Sequence, residues 1–194
     1  MKMLIRSWMG LVIVGACLSV ASVQAGDEKT AYALIKEGNR HVGEDAKDKV
    51  VQIRSEKSLG SLTPNIWYVV YYDPDATTKA TQVKFGAGVK MEVKREFRLF
   101  ELASKAHLPL EREKLKIDSD KAIEVATSEP LLKNLKVLST RLTLERWEEM
   151  PVWKVRLWAA KLRNPTKDAD IGEVIISAET GKMLKNDLKI SRVD

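Results

Sequence analysis

The sequence predicts an α+β protein of two tandem units, each a helix followed by a small antiparallel sheet, and three observations carry the prediction. Apolar residues recur at helical spacing in two short stretches, residues 29–42 and 118–129. After each stretch, apolar and polar residues alternate with the period of two that a half-buried strand requires. Both halves also carry a Trp-bearing strand followed by an acidic, Pro-containing loop, at Trp67 and at Trp153. The tryptophans lie 86 residues apart, and the strands after the loops 91 apart, so the halves read as a degenerate tandem repeat.

The chain has 194 residues, 44% hydrophobic and 31% charged, which is ordinary globular composition. Its N-terminus stands apart. Lys2 and Arg6 precede an apolar run over 9–20, no acidic residue occurs before Asp27, and Val23-Gln24-Ala25 ends the segment in small residues. Residues 1–25 therefore read as a signal peptide, too short in its apolar run for a membrane span. Val14-Gly15-Ala16-Cys17 resembles a bacterial lipobox, which makes a lipid anchor at Cys17 the alternative. The apolar stretch continues through Leu18, Val20 and Val23, and this favours cleavage after Ala25 and a periplasmic or secreted product. Loss of Lys2 and Arg6 leaves 31 basic against 27 acidic side chains, a net +4 spread along the chain. Such a modest, unclustered excess gives no reason to expect a nucleic-acid partner. The only cysteine lies in the segment expected to leave, so no disulfide is expected.

The first unit is expected over 26–95. Ala31, Leu34, Ile35, Gly38 and Val42 form the apolar stripe of its helix, with Asp27 or Thr30 to cap the start and Gly43 to end it. A strand follows at 50–54, a loop containing Gly60-Ser61 and Pro64 at 55–65, and a second strand at 66–72 that is apolar on both faces and so is expected inside a sheet. After the turn cluster at 73–78, alternation from Val83 to Val93 predicts one long strand or a pair broken near 86–88. Residues 96–116, irregular and charged, read as a bridge.

The second unit is expected over 117–194. Asp118 or Ser119 caps a short helix with Ala122, Ile123 and Ala126 on one face, and Pro130 closes it. Residues 137–145 alternate, and 147–150 make a turn. Residues 151–185 then read as two antiparallel strands separated by a polar excursion, ending in the turn Ala178-Glu179-Thr180-Gly181-Lys182. Along the first of these strands Trp153, Val155, Leu157 and Ala159 point one way, toward the expected core. Lys154, Arg156, Trp158 and Ala160 point the other.

The run from Ile117 to Ala122, the strand Val152-Trp153-Lys154-Val155 and the stretch Val174-Ile175-Ile176-Ser177-Ala178-Glu179-Thr180-Gly181-Lys182-Met183-Leu184 resemble the PepSY family. The resemblance covers residues 115–187 and is weak over 29–94, where Gly86-Ala87-Gly88 replaces the acidic-Thr-Gly turn. It implies two tandem PepSY-like units, each a helix packed on a small antiparallel sheet. It also implies a bacterial envelope protein that inhibits or regulates a peptidase, with no catalytic residues to carry over.

The residues themselves point the same way. His41 and His107 are too few and too far apart for a metal set, and no nucleophile elbow, phosphate-binding glycine loop or dinucleotide fingerprint is present. The expectation is a non-catalytic, exported binding protein that needs no cofactor. Its candidate partner-binding face comprises Lys154, Arg156 and Trp158, with Trp147 in the adjoining turn, because Trp beside Arg is typical of binding hot spots. Its partner is a protein or peptide, in the specific version an envelope peptidase. The alternative is a small-molecule or calcium-responsive sensor that uses the acidic loops 73–75 and 168–170, although neither completes a calcium-loop pattern.

Overall fold

A computed structural model describes residues 29–95 and 108–193. The expected signal segment with Cys17, residues 96–107 of the expected bridge, and His107 lie outside the described residues.

Helix α1, Ala31–Gly38, buries Ala31, Leu34 and Gly38. It gives way at Asn39–His41 to a tighter 3-10 turn, earlier than the apolar stripe suggests. Gly38 is where the helix comes closest to the sheet: a Cβ there would stand 2.1 Å from the Tyr71 hydroxyl. That hydroxyl donates to the Ile35 carbonyl at 3.0 Å, so a side chain at this position would break the contact.

Helix α2, Ser119–Thr127, buries Ala122, Ile123 and Ala126, the face its sequence marks. Its cap, Asp118, accepts from the Ser119 backbone N–H at 2.6 Å. The same carboxylate oxygen accepts from the Tyr32 N–H at 3.1 Å, and the Ser119 hydroxyl accepts from the Ala31 N–H at 3.1 Å. Thr30, the formal cap of α1, makes no side-chain cap bond. The start of α1 is thus capped from residues 86 and 88 positions away.

Four strands follow each helix, β1 Val50–Ser55, β2 Ile66–Tyr72, β3 Ala80–Gly86 and β4 Val89–Lys94 after α1, and β5 Leu135–Trp147, β6 Met150–Lys161, β7 Asn164–Ser177 and β8 Met183–Leu188 after α2. They form one antiparallel sheet in the order β4-β3-β2-β1-β5-β6-β7-β8. This corrects the expected fold class: the chain does not form two tandem helix-on-sheet units but one eight-stranded sheet with two short helices on one face.

The physical reason lies at the seam between β1 and β5. Ile53 pairs with Leu144 and Arg54 with Thr143. Beyond them the ladder is continued by serines: Ser55 accepts from the Leu142 N–H at 2.9 Å, Ser58 accepts from the Thr140 N–H at 2.9 Å, and the Ser58 N–H donates to the Thr140 carbonyl at 2.8 Å. Both serines are buried. Each four-strand set would otherwise present an open edge there, and joining them removes both.

One hydrophobic core runs the length of the helix-covered face. It includes Leu34, Trp67, Tyr71 and Phe85 from the first part of the chain and Leu142, Trp153, Leu157 and Ile176 from the second. Tyr32 and Trp153 stack across the seam with ring centroids 6.2 Å apart, and the Tyr32 hydroxyl and Trp153 indole N–H both donate to the Ile117 carbonyl, at 2.6 and 2.7 Å.

Two further expectations change. The polar excursion after β6 is itself strand, because β7 begins at Asn164. Its first residues are exposed and are held by pairing with the end of β6, where Ala159 meets Ala169 and Lys161 meets Asn164. The break at residues 86–88 is a tight turn, and all six residues of β4 are exposed, so alternation there does not reflect burial.

Candidate functional site

The helices cover one face of the sheet; the other, the open face, carries no helix among the described residues, although Val51, Val70 and Ala80 form a small buried cluster there. The registers determine what stands on the open face. Lys154 and Arg156 alternate with the fully buried Trp153, Val155 and Leu157, and Trp158 falls on their side, half-buried. Trp147 belongs to the same face by alternation along β5. It pairs with Met150 at one end of that strand, whereas Trp158 pairs with Ser139 near the other. Eight residues of strand separate these positions, roughly 26 Å, and Lys154, opposite Thr143, stands midway between the two tryptophans, with Arg156 on the Trp158 side.

Trp158 is not a free aromatic. Lys57, in the loop after β1, places its ammonium 4.8 Å from the indole centre, and the Arg141 guanidinium lies 5.4 Å from it. The same arrangement recurs on β2. Tyr68 has the Arg54 guanidinium 4.4 Å from its ring centre and the Lys84 ammonium at 5.5 Å. Cations held over ring faces are attracted by the ring quadrupole. Sequence reading missed Arg54, Tyr68, Lys84 and Arg141 because their meeting depends on strand neighbours; only their odd or even positions along each strand could have hinted at a shared face.

Some cations on this face are neutralised. Lys154 meets Glu145 at 2.6 Å, Arg156 meets Asp170 at 2.8 Å and Lys57 meets Asp168 at 2.8 Å. Arg54, Lys84 and Arg141 make no ion pair among the described residues; Arg54 donates instead to the Gln82 side-chain carbonyl at 2.9 Å. Arg141 and Arg156 stand directly opposite each other on β5 and β6. Like charges in that relation repel, and the Asp170 carboxylate on Arg156 and the Trp158 ring beside Arg141 offset the repulsion.

The acidic loops are engaged in local structure. The buried Asp73 accepts from the Asp75 N–H at 3.1 Å and from the Thr81 hydroxyl. Asp170 accepts from the Gly172 N–H at 2.9 Å in addition to its pair with Arg156. Among the described residues no three His, Cys, Asp or Glu side chains converge as a metal site would require.

On the helix side, a hollow of about 260 Å³ is lined by Tyr32, Ile35, Val50, Leu110 and Leu115 with Lys36, Asp48 and Arg112. Asp48 and Arg112 pair at 3.3 Å. Burial, and then the charge of Asp118, push the Tyr32 hydroxyl well above the ordinary phenol value, so it stays protonated and serves as a structural donor. His41 lies 3.7 Å from Glu37, just beyond α1, and belongs to no cluster of metal-ligating side chains among the described residues.

Compared with protein-family models, curated proteins and solved structures, the chain matches none.

Proposed function

We propose that the chain is a non-catalytic binding protein of the bacterial envelope that docks a protein or peptide partner on the open face of its sheet. The observation that carries this reading is the pair of aromatic rings, Tyr68 and Trp158, each flanked by two cations on the face opposite the helices. Trp, Tyr and Arg dominate the energetics of protein interfaces, where a flat, rigid surface is an advantage. The aromatic pairs stand away from a polar recess of about 190 Å³ on this face, lined by Arg156, Glu173, Asp187, Lys189 and Arg192, and an exposed array of this kind suits a partner's surface better than a small substrate. Regulation of an envelope peptidase is the specific form suggested by the resemblance of residues 115–187, and the signal-like residues 1–25 suggest the compartment.

The test is site-specific crosslinking in the native cell. A photoreactive residue replacing Arg141 on the open face should give a discrete adduct, and one replacing Lys121 on α2 should not. Trp158→Ser should abolish the adduct and weaken binding of the captured partner by about 2 kcal/mol, roughly thirtyfold. An adduct from both faces, or one that survives Trp158→Ser in a folded variant, refutes the reading.

A further inference from the structure

One line of residues crosses the whole open face. The pairing is continuous from strand to strand: Glu92 faces Lys84, Lys84 faces Tyr68, Tyr68 faces Arg54, Arg54 faces Thr143, Thr143 faces Lys154, Lys154 faces Ile175 and Ile175 faces Lys185. Cations occupy β3, β1, β6 and β8, every second strand of the sheet, and an uncharged residue stands between each successive pair. Neighbouring strands lie about 4.8 Å apart, so the cations repeat at roughly 9.6 Å. A polyproline II segment rises about 3.1 Å per residue with three residues per turn, a repeat of roughly 9.3 Å.

From this match we propose that the row is a docking track for an extended polypeptide segment bearing an acidic residue at every third position. The inference rests on the docking reading above and specifies its ligand. Each carboxylate meets one cation, while the residues between lie over Tyr68, Thr143 and Ile175. The sheet twists by about 20–25° per strand, which turns successive cations by roughly 45° and limits a straight segment to about three of them. Lys84, Arg54 and Lys154 form the central set. Two of these three have no carboxylate of their own among the described residues; the third shares Glu145.

Spacing also argues against a uniformly charged polymer. Glu145, Glu173 and Asp187 flank the row on the same face, with Glu173 directly opposite Asp187. A polyanion with charge on every unit meets these carboxylates, whereas acids three residues apart pass between them.

The experiment compares three probes on the full chain: a labelled peptide of four Glu-Pro-Pro repeats, a peptide of the same composition with its four glutamates contiguous, and inorganic polyphosphate. The spaced peptide should bind at least about fivefold more tightly than the block peptide, and polyphosphate should compete poorly. Arg54→Met and Lys84→Met, which keep the aliphatic stems, should each weaken the spaced peptide about fivefold or more, with urea midpoints confirming that the variants fold. Equal binding of the two peptides to the unaltered chain overturns the inference, as does tighter binding of polyphosphate, or no binding of the spaced peptide. These comparisons need no variant. If the crosslinked partner still requires Trp158 while spaced and block peptides bind alike, the docking reading stands and the spacing falls. If the spaced peptide binds preferentially while crosslinking shows no partner on this face, the reverse holds.

Discussion

Asp118 concentrates more of the fold in one side chain than its sequence position suggests. As a cap for α2 it was legible, because an Asp before a short apolar stripe is a strong N-terminal signal. Its second task, holding the Tyr32 N–H in the first turn of α1, was not, since nothing in the residues around Tyr32 names a partner 86 positions away. A capping side chain is worth about 0.5–2 kcal/mol, and this one serves two helices as a charged acceptor. Asp118→Ala should therefore cost about 2–3 kcal/mol, while Asp118→Asn, which keeps an acceptor, should cost less than half as much. The comparison is made by urea denaturation of the chain. A loss confined to that of an ordinary single cap, about 1 kcal/mol for the alanine variant, would show that α1 does not depend on it. Trp153 is the residue whose role was most readable: strict alternation put it on the core side, and it is fully buried. Trp158 was placed on the correct face by the same rule, but its flanking cations come from other elements.

At the scale of the element, the turn between β3 and β4 contains an identifiable strain. Ala87 and Gly88 have φ of 48° and 74°, both left-handed, with Gly86 and Val89 paired on either side. This is the two-residue hairpin turn whose twist suits antiparallel strands, and Asn-Gly is its preferred sequence. Alanine at the first central position bears the cost of a Cβ in left-handed backbone, which Asn tolerates better. Ala87 is exposed and its N–H donates to the Asn65 carbonyl, a bond the substitution retains. Ala87→Asn should stabilise the chain by about 0.5–1 kcal/mol, read as a higher urea midpoint at constant slope. A lower midpoint would mean that the turn is not under this strain. The elements that the sequence under-read were those whose order comes from pairing instead of burial. The start of β7 is polar and exposed, so period-two apolarity was absent there, although its backbone completes the ladder with β6.

For the whole molecule, the strands were largely visible in the sequence but their assembly was not. Apolar alternation reports which side of a strand faces a core; it does not report which strand lies beside it. The β1–β5 seam is carried by backbone bonds and by the hydroxyls of Ser55 and Ser58, residues that composition assigns to a loop. The same limit hid the cationic row, since Lys84, Arg54, Lys154 and Lys185 are aligned only after six pairings are known. The continuous sheet has a thermodynamic consequence that two independent units would lack. With one main core, one seam and the start of α1 capped across it, local opening of the first strands should expose buried surface of the rest, and unfolding should be a single transition. Val83→Ala provides the test, because Val83 is fully buried on β3, two strands from the seam. Removing its methyl groups should cost about 2 kcal/mol and lower the midpoint of the entire calorimetric transition by several degrees, with calorimetric and van't Hoff enthalpies remaining equal. A scan that resolves two transitions, of which Val83→Ala moves only one, would show that the two strand sets fold independently despite the shared sheet.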